Sequence, residues 1–417
     1  MKPLKQYTFI DLFAGCGGLS EGFLQTGRFK ALAHVEWEMP MVETLRKRLV
    51  QKWDHSEEDA KNRVVCFDIQ HTEELIKGNW SEELVKEYSS NNGELVVNKG
   101  LDGIINGETV DLIIGGPPCQ AYSIAGRAQD PNSMRDDYRN YLFESYAKIV
   151  DYYKPKVFVF ENVPGMLSAC PKDRYVKDII YEDFEKIGYR IKSPEKLAEA
   201  IYCASDFDTP QKRNRVIIFG VRKDLDLSVD ELYQNFSSLK KNNHLTVKDA
   251  IGSFPKFKPL EEAIKEGKKN VSHRLVGNKH MLQHEARYHN KCDINIFHEW
   301  IGNDMNHKPM QERLDYYNNL KGKHSNHVKY RSLEWDKPSP TIVAHLYKDG
   351  LMFIHPDIEQ LRSITIREAA ALQTFPNDFC FYGSTAYAFK MIGNAVPVQF
   401  AKNIATAVIK TFEEKNY

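Results

Sequence analysis

Apolar positions in the first 220 residues gather into short blocks, and the blocks alternate between two spacings. Residues 7–13, 30–36, 63–67, 110–114, 156–160 and 215–221 predict strands. Several are brief apolar runs bounded by Gly, Pro or Asp, as expected of strands buried on both faces. Between them, residues 19–24, 40–53, 141–153 and 173–186 predict helices. This alternation predicts an α/β fold, a doubly wound and mostly parallel sheet with ligands at the carboxyl ends of its strands. Residues 71–108 are polar and predict a helical excursion with no legible function.

Beyond Val221 the pattern lapses. Residues 236–362 are rich in Asn, His, Lys and Tyr and show no clear period. Regular apolar spacing returns at Ile364 and runs into a C-terminal helix over 399–414. A chain of 417 residues exceeds one comfortable core. The expected division is a catalytic domain at 1–235, an inserted domain at 236–362, and a return to the first domain at 363–417.

Charge adds little in total, because Lys plus Arg and Asp plus Glu are 57 each. Its distribution says more: nine of the fourteen histidines lie between residues 241 and 330, among many Lys and Arg. Such a segment suits phosphates or is simply a solvated surface, and composition leaves both open. No run of about 18 apolar residues exists, so no membrane span is expected. The start, MKPLKQYTFIDLFAG, lacks the apolar core of a signal peptide. Seven cysteines are scattered singly, with no C-x-x-C pair. That argues against a disulfide framework or a cysteine zinc site and suits a reduced cytoplasm, where a thiol can act as a nucleophile.

Four motifs carry chemistry. In DLFAGCGGLSEGF, Asp11 to Phe23, a strand runs through a glycine turn (Gly15, Gly17, Gly18) into a helix. Glycines let the backbone approach a ligand, and a helix start offers free N–H groups. Glu36, at the end of the next strand, is where an acid can take ribose hydroxyls. Ser20 stands where a dinucleotide fingerprint has its third glycine, which favours an adenosine ligand other than NAD. In IIGGPPCQAYS, Ile113 to Ser123, two prolines stiffen a loop that presents Cys119. In FVFENVPGML, Phe158 to Leu167, Glu161 follows a strand as helix cap or general acid. In QKRNRV, Gln211 to Val216, Arg213 and Arg215 alternate on one strand face, facing an anion or solvent.

In this order, with Arg367–Pro376 (REAAALQTFP) and Gly393–Pro397 (GNAVP) late in the chain, the sequence resembles the cytosine-5 DNA methyltransferases. The resemblance covers residues 7–221 and 363–410. Six blocks in order are far more specific than any one. Lys337–His345, KPSPTIVAH, is similar to the family's segment leaving its target-recognition domain, and 236–362 takes that domain's place. Tyr122 stands where Phe is common, which preserves an aromatic.

The resemblance implies a methyl transfer from S-adenosyl-L-methionine to carbon 5 of a cytosine flipped from double-stranded DNA, by an enzyme of the bacterial restriction-modification type. It implies that Cys119 attacks carbon 6, that Glu161 protonates ring nitrogen 3, and that Arg215 with Arg213 steadies the ring oxygen. It places Phe13, Ala14, Gly15, Gly17, Gly18, Glu36, Trp37, Asp68, Ile69, Pro118, Leu142, Asn394 and Val396 around the methyl donor. Gln120, Ser123, Arg127, Arg139 and Thr341 would meet DNA, and residues 124–140 would form a mobile lid. No metal is implied. The expected partners are duplex DNA and a separately encoded cognate restriction endonuclease. The chain itself is expected to be a cytoplasmic monomer acting on chromosomal DNA.

Rival readings fare worse. The tRNA-directed branch of the family carries Cys-Phe-Thr late in its recognition region. This chain has only Cys66-Phe67-Asp68 and Cys380-Phe381-Tyr382. A catalytically dead DNA binder would be expected to lose Cys119 or Glu161. A plain Rossmann oxidoreductase does not suit the Pro-Pro-Cys-Gln loop. His280, His284 and His289 fit no zinc-finger spacing.

Overall fold

The structure, a computed structural model, describes residues 5–118, 142–170, 173–322, 324–348 and 350–417. Every predicted strand is present within two residues of its expected ends: β1 Tyr7–Leu12, β2 Phe29–Glu36, β3 Val64–Cys66, β4 Leu112–Gly115, β5 Val157–Asn162 and β8 Asn214–Arg222. β6 Tyr189–Arg190 and β7 Ile201–Cys203 are additions to that set, too short to show a period in the sequence. The spatial order is β3-β2-β1-β4-β5-β8-β6, with β7 also paired to β8. β3, β2, β1, β4 and β5 run parallel, and β6, β7 and β5 meet β8 antiparallel.

Alternation along the strands decides which helix covers which face. Phe9 meets Phe23 of the helix Gly18–Leu24 at a ring distance of 5.8 Å. Ile10, one residue on, is in register with Ile113 and through it with Phe158. Phe158 stacks at 4.1 Å on Phe184 of the helix Val176–Lys186, and Tyr146 of the helix Leu142–Tyr153 meets Phe158 and Phe160 edge-on. The C-terminal helix Val398–Glu414 packs on Gly18–Leu24 so closely that a Cβ at Gly22 would lie 2.5 Å from Ala401 Cβ.

The polar stretch 71–108 is helical, with Thr72–Lys77, Glu82–Tyr88 and Glu94–Ile105, the last kinked at Gly100. Its packing role is visible at Asn92. That amide donates to the Cys66 carbonyl (2.8 Å) and accepts from the Cys66 N–H (2.8 Å). A side chain thus stands in for the next strand at the edge of β3, which would otherwise expose backbone polar groups.

Two compact units divide the chain. The first comprises Met1–Phe207, Arg213–Asn242 and Ala395–Tyr417; the second comprises Asp208–Lys212 and Asn243–Asn394. The second unit is thus longer than the 236–362 expected for an insertion. The reason is local: Arg362 and Glu368, both fully buried, form a bidentate ion pair at 2.6 and 2.7 Å, which fastens Ile366–Leu372 inside this unit. The unit also has regular structure where no period was legible. It contains a hairpin, β9 Phe257–Glu266 and β10 Lys269–Leu275, and helices Lys291–Gly302 and Met310–Lys321. Phe297, Trp300, Met305, Tyr330 and Ile354 form its own small core.

Candidate active site

The candidate residues of the first unit collect along the carboxyl edge of the parallel strands, in strand order. At the end of β1 the chain turns sharply. Phe13, Gly15 and Gly17 all have positive φ (60°, 56° and 90°), and Gly18 opens the first helix. A Cβ on Gly17 would lie 2.5 Å from Leu45 Cδ1, so this turn needs glycine for conformation and for room. Ser20 is no casual replacement for a third glycine. Its hydroxyl donates at 2.5 Å to the buried Asp11 carboxyl, whose pKa burial raises to about 7.

Glu36 ends β2 beside that turn. Its carboxylate accepts from the backbone N–H groups of Gly15 (2.9 Å), Trp37 (2.8 Å) and Glu38 (2.9 Å). Burial raises its pKa, and the three donors work against that. Trp37 is 54% exposed, an unusual state for an indole. Next along, Phe67 N–H bonds the Glu36 carbonyl, and Asp68 (half-buried) and Ile69 (buried) leave β3.

On the other side of β1, β4 ends in Gly115 and continues through Gly116, Pro117 and Pro118. Both glycines have a steric reason. A Cβ at Gly115 would lie 2.4 Å from the Leu12 carbonyl oxygen, and one at Gly116 would lie 2.6 Å from Glu161 Oε2. The Asn162 amide reaches the Pro117 carbonyl at 3.4 Å, tying the end of β5 to the proline loop. Tyr146 lies beneath, its hydroxyl 3.1 and 3.0 Å from the carbonyls of Ile113 and Val159. Glu161 is buried and ion-paired with Arg215, whose Nε lies 2.6 Å from Glu161 Oε1.

Arg213 behaves differently from its expected twin. β8 begins at Asn214, so Arg213 precedes the alternating stretch, and its side chain is buried while that of Arg215 is partly exposed. Its carbonyl accepts from Ala204 N–H, which fixes the chain before the strand starts. Leu142 and Val396 are buried in the first unit, Asn394 is exposed at the end of the second, and Pro118 is exposed. Cys119, Gln120, Ser123, Arg127 and Arg139 lie outside the described residues, as does the expected lid at 124–140.

Within the second unit, the Gln211–Lys212 pair is bound to the KPSPTIVAH segment. Lys212 N–H bonds the Ser339 carbonyl (2.8 Å), and Thr341 Oγ1 donates to the Lys212 carbonyl (2.7 Å). Buried Gln211 accepts from Ile342 N–H and donates to Gln373 Oε1 and the Leu372 carbonyl. Gln373 in turn donates to the Ile392 carbonyl. Thr341 is therefore engaged with backbone here. Neither glutamine is among the residues expected to have a role, although both stand inside motif blocks. Two of the candidate histidines are structural in this unit, and His280 is exposed: His284 bonds Thr365 and the Pro255 carbonyl, and His289 bonds Ser363. No cluster that could hold a metal occurs among the described residues.

A turn of three positive-φ residues, a buried carboxylate beside it, an exposed indole and an acidic strand end lie on neighbouring strands β1, β2 and β3. The Glu161–Arg215 pair lies across β4. The glycine-turn group and the Glu161–Arg215 pair thus flank the point where strand order reverses, between β1 and β4. The family described as C-5 cytosine-specific DNA methylase matches residues 7–79 and 63–410. The chain belongs to that family. This DNA cytosine-5 methyltransferase uses S-adenosylmethionine, and the residues along β1–β3 fit it. A buried carboxylate bonded to the Gly15 N–H of the positive-φ turn and an exposed aromatic face are at hand.

The chain is 36% identical over 445 residues to the type II methyltransferase M.Bpa9945I of Bacillus paralicheniformis, covering 96% of this chain and 98% of that one. It is 30% identical over 403 residues to the type II methyltransferase M1.HphI of Haemophilus parahaemolyticus, covering 97% and 87%. Among solved structures, one described as a DNA modification methyltransferase encoded within an E. coli prophage matches with a TM-score of 0.60. Its identity is 22%, with 98% of this chain and 100% of that chain covered, a likeness of fold. No helix among the described residues is long and apolar enough to cross a membrane.

Proposed function

We propose that this methyltransferase works through a covalent Cys119 adduct on a cytosine flipped from duplex DNA, at a site chosen by its second unit. The observation that carries the reading is the Glu161–Arg215 pair beside Gly116, two residues before the Pro118-Cys119 step in sequence. The Cys119 sulfur adds to carbon 6 of the ring. Glu161 gives a proton to nitrogen 3, which takes up the electron pair displaced by the attack. Arg215 holds the Glu161 carboxylate and the ring oxygen, and Arg213 anchors the chain that presents Arg215. Carbon 5 is then an enamine carbon, nucleophilic enough to accept a methyl group. Bound S-adenosylmethionine supplies that methyl as an electrophile on sulfonium. Loss of the carbon 5 proton to a solvent base, expulsion of the Cys119 sulfur as thiolate and return of the nitrogen 3 proton to Glu161 restore the ring as neutral 5-methylcytosine. Extruding the base costs a few kcal/mol, which contacts to the bound duplex must offset.

Glu36 takes the ribose hydroxyls and Trp37 the adenine face. Asp68 and Ile69 meet the adenine edge, and Phe13, Ala14, Gly15, Gly17, Gly18, Pro118, Leu142, Asn394 and Val396 complete the pocket. Gln120, Ser123, Arg127, Arg139 and Thr341 face the duplex, and residues 236–362 choose the sequence. Two relatives named type II methyltransferases over nearly the whole chain support a place in restriction-modification, beside a separately encoded endonuclease. The enzyme acts as a cytoplasmic monomer.

Bisulfite sequencing of DNA from cells expressing the chain tests the product and its context together. Cys119→Ser tests the nucleophile, because a hydroxyl ionises far less readily than a thiol of pKa about 8.5. Tritiated methyl incorporation should vanish while cofactor binding persists. Turnover near that of the wild type would rule out the adduct.

A further inference from the structure

Two buried acids beside the glycine turn have no cation to balance them. Asp11, the last residue but one of β1, is 1% exposed. Its Oδ2 accepts from Ser20 Oγ, and its Oδ1 is buried with no hydrogen-bond partner. Glu36 ends the neighbouring strand β2, and its charge opposes ionisation of Asp11. Buried carboxyl groups that repel in this way do not both ionise readily, and they titrate as a pair.

The groups packed around the pair leave it unbalanced. From β2, His34 stands in register with Asp11, and burial lowers its pKa to about 3, so it is neutral at pH 7. On the other flank, β4 places the uncharged Ile114 in register. From the helix Gly18–Leu24, Ser20 brings no charge, and Glu21 is occupied by Arg48 (3.0 and 2.6 Å) and Trp53 Nε1 (3.1 Å). Burial pushes the Cys16 thiol in the turn and the Tyr146 hydroxyl of the helix Leu142–Tyr153 far up, so both stay neutral. Glu38, before the helix Met39–Lys52, adds negative charge beside Glu36. Among the described residues no lysine or arginine pairs with Asp11 or Glu36.

We infer that this acid pair, through Asp11, is how the site distinguishes S-adenosylmethionine from its demethylated product. This rests on the reading of the β1–β3 edge as the methyl-donor pocket. The two ligands share an ammonium and a carboxylate and differ by one positive charge, the sulfonium of the donor. In a low-dielectric interior a unit charge acts beyond contact distance. With the donor bound, Asp11 therefore gives its proton to solvent: one positive charge enters the site and one leaves it. With the thioether product bound, Asp11 keeps its proton. The pair is thus a specificity-determining element whose effect is set by pH.

Calorimetric titration of the full-length chain with each ligand, between about pH 6 and pH 8, tests this. Ionisations of the shared ammonium and carboxylate, and of remote protein groups, cancel in the ratio of the two dissociation constants. That ratio should shift towards the donor as pH rises, by up to about tenfold per pH unit below about pH 7, and level off above it. Repeated in phosphate and in imidazole buffer at about pH 6.5, donor binding should release up to about one proton more than product binding. Asp11→Asn keeps the shape of the side chain and an acceptor for Ser20, and should make the ratio independent of pH. Equal proton release by the two ligands overturns the proposal, as does an asparagine variant that retains the shift. Should that variant melt early, the wild-type proton counts decide alone. Failure of the pocket reading would look different, since Glu36→Ala would then leave both dissociation constants unchanged.

Discussion

Glu36 accepts three backbone N–H groups while remaining the acid nearest the glycine turn. Its removal therefore has two effects. On the proposed reading the ribose loses a charge-assisted partner worth about 1.5–3 kcal/mol, or roughly 10- to 150-fold in affinity. The N–H groups of Gly15, Trp37 and Glu38 lose their acceptor, which loosens the turn that Gly17 shapes. Glu36→Ala should weaken binding of the cofactor's demethylated product by at least that factor and lower the melting temperature. Glu36→Gln, which keeps an oxygen for the backbone donors, should weaken binding while melting nearer to the wild type. Calorimetry and a thermal scan read both. An unchanged dissociation constant in the alanine variant would mean the ribose is held elsewhere.

Between elements, the buried amides of Gln211 and Gln373 connect three stretches far apart in sequence: 211–212, 339–342 and 372–392. Such a network stabilises only when complete. Gln211→Leu would remove its hydrogen bonds with Ile342 N–H, Gln373 Oε1 and the Leu372 carbonyl, each worth about 0.5–1.5 kcal/mol net. The variant should lose a few kcal/mol in urea unfolding of the second unit, and its turnover should fall because Arg213 lies only two residues further along the chain. Stability within about 0.5 kcal/mol of the wild type would show that the relay is dispensable. This relay also marks the limit of sequence reading. The strands of the main sheet are legible because burial on both faces makes continuous apolar runs. The strand-end positions of Glu161 and Glu36 are legible because the apolar runs before them mark where those strands stop. Asn92 closing the edge of β3, Arg213 preceding its strand, and the glutamine relay are single polar contacts between remote segments, and no period encodes them. The helix Met310–Lys321 escapes for another reason: it is largely solvent-facing and polar, so it carries little apolar stripe.

Over the whole molecule, the buried titratable groups of the two units respond to acid differently. In the second unit burial lowers the pKa of His273 to about 4, of His289 to about 3 and of His355 to about 4, and lowers that of His284. Burial pushes Glu368 up, but the Arg362 charge and hydrogen bonds outweigh it and hold the carboxyl well below its ordinary range. All five groups act in one sense. Below the ordinary histidine pKa of about 6.5 the unfolded chain takes up protons that the folded unit refuses. Each histidine then removes up to ~1.4 kcal/mol of stability per pH unit until its folded pKa is reached, and Glu368 adds its loss below about pH 4.5. The first unit holds groups of opposing sign. Burial raises Asp11 to about 7 and also raises Glu36, so both stabilise the fold as pH falls from neutrality towards their unfolded values. His34, lowered to about 3 by burial, opposes them. Acidification from pH 7 to pH 5 should therefore open the second unit first. Hydrogen exchange should quicken in Lys291–Gly302 and Ile366–Leu372 while β1 and β4 stay protected. Simultaneous loss of protection in both units would contradict this assignment of buried neutral histidines to the second unit's stability.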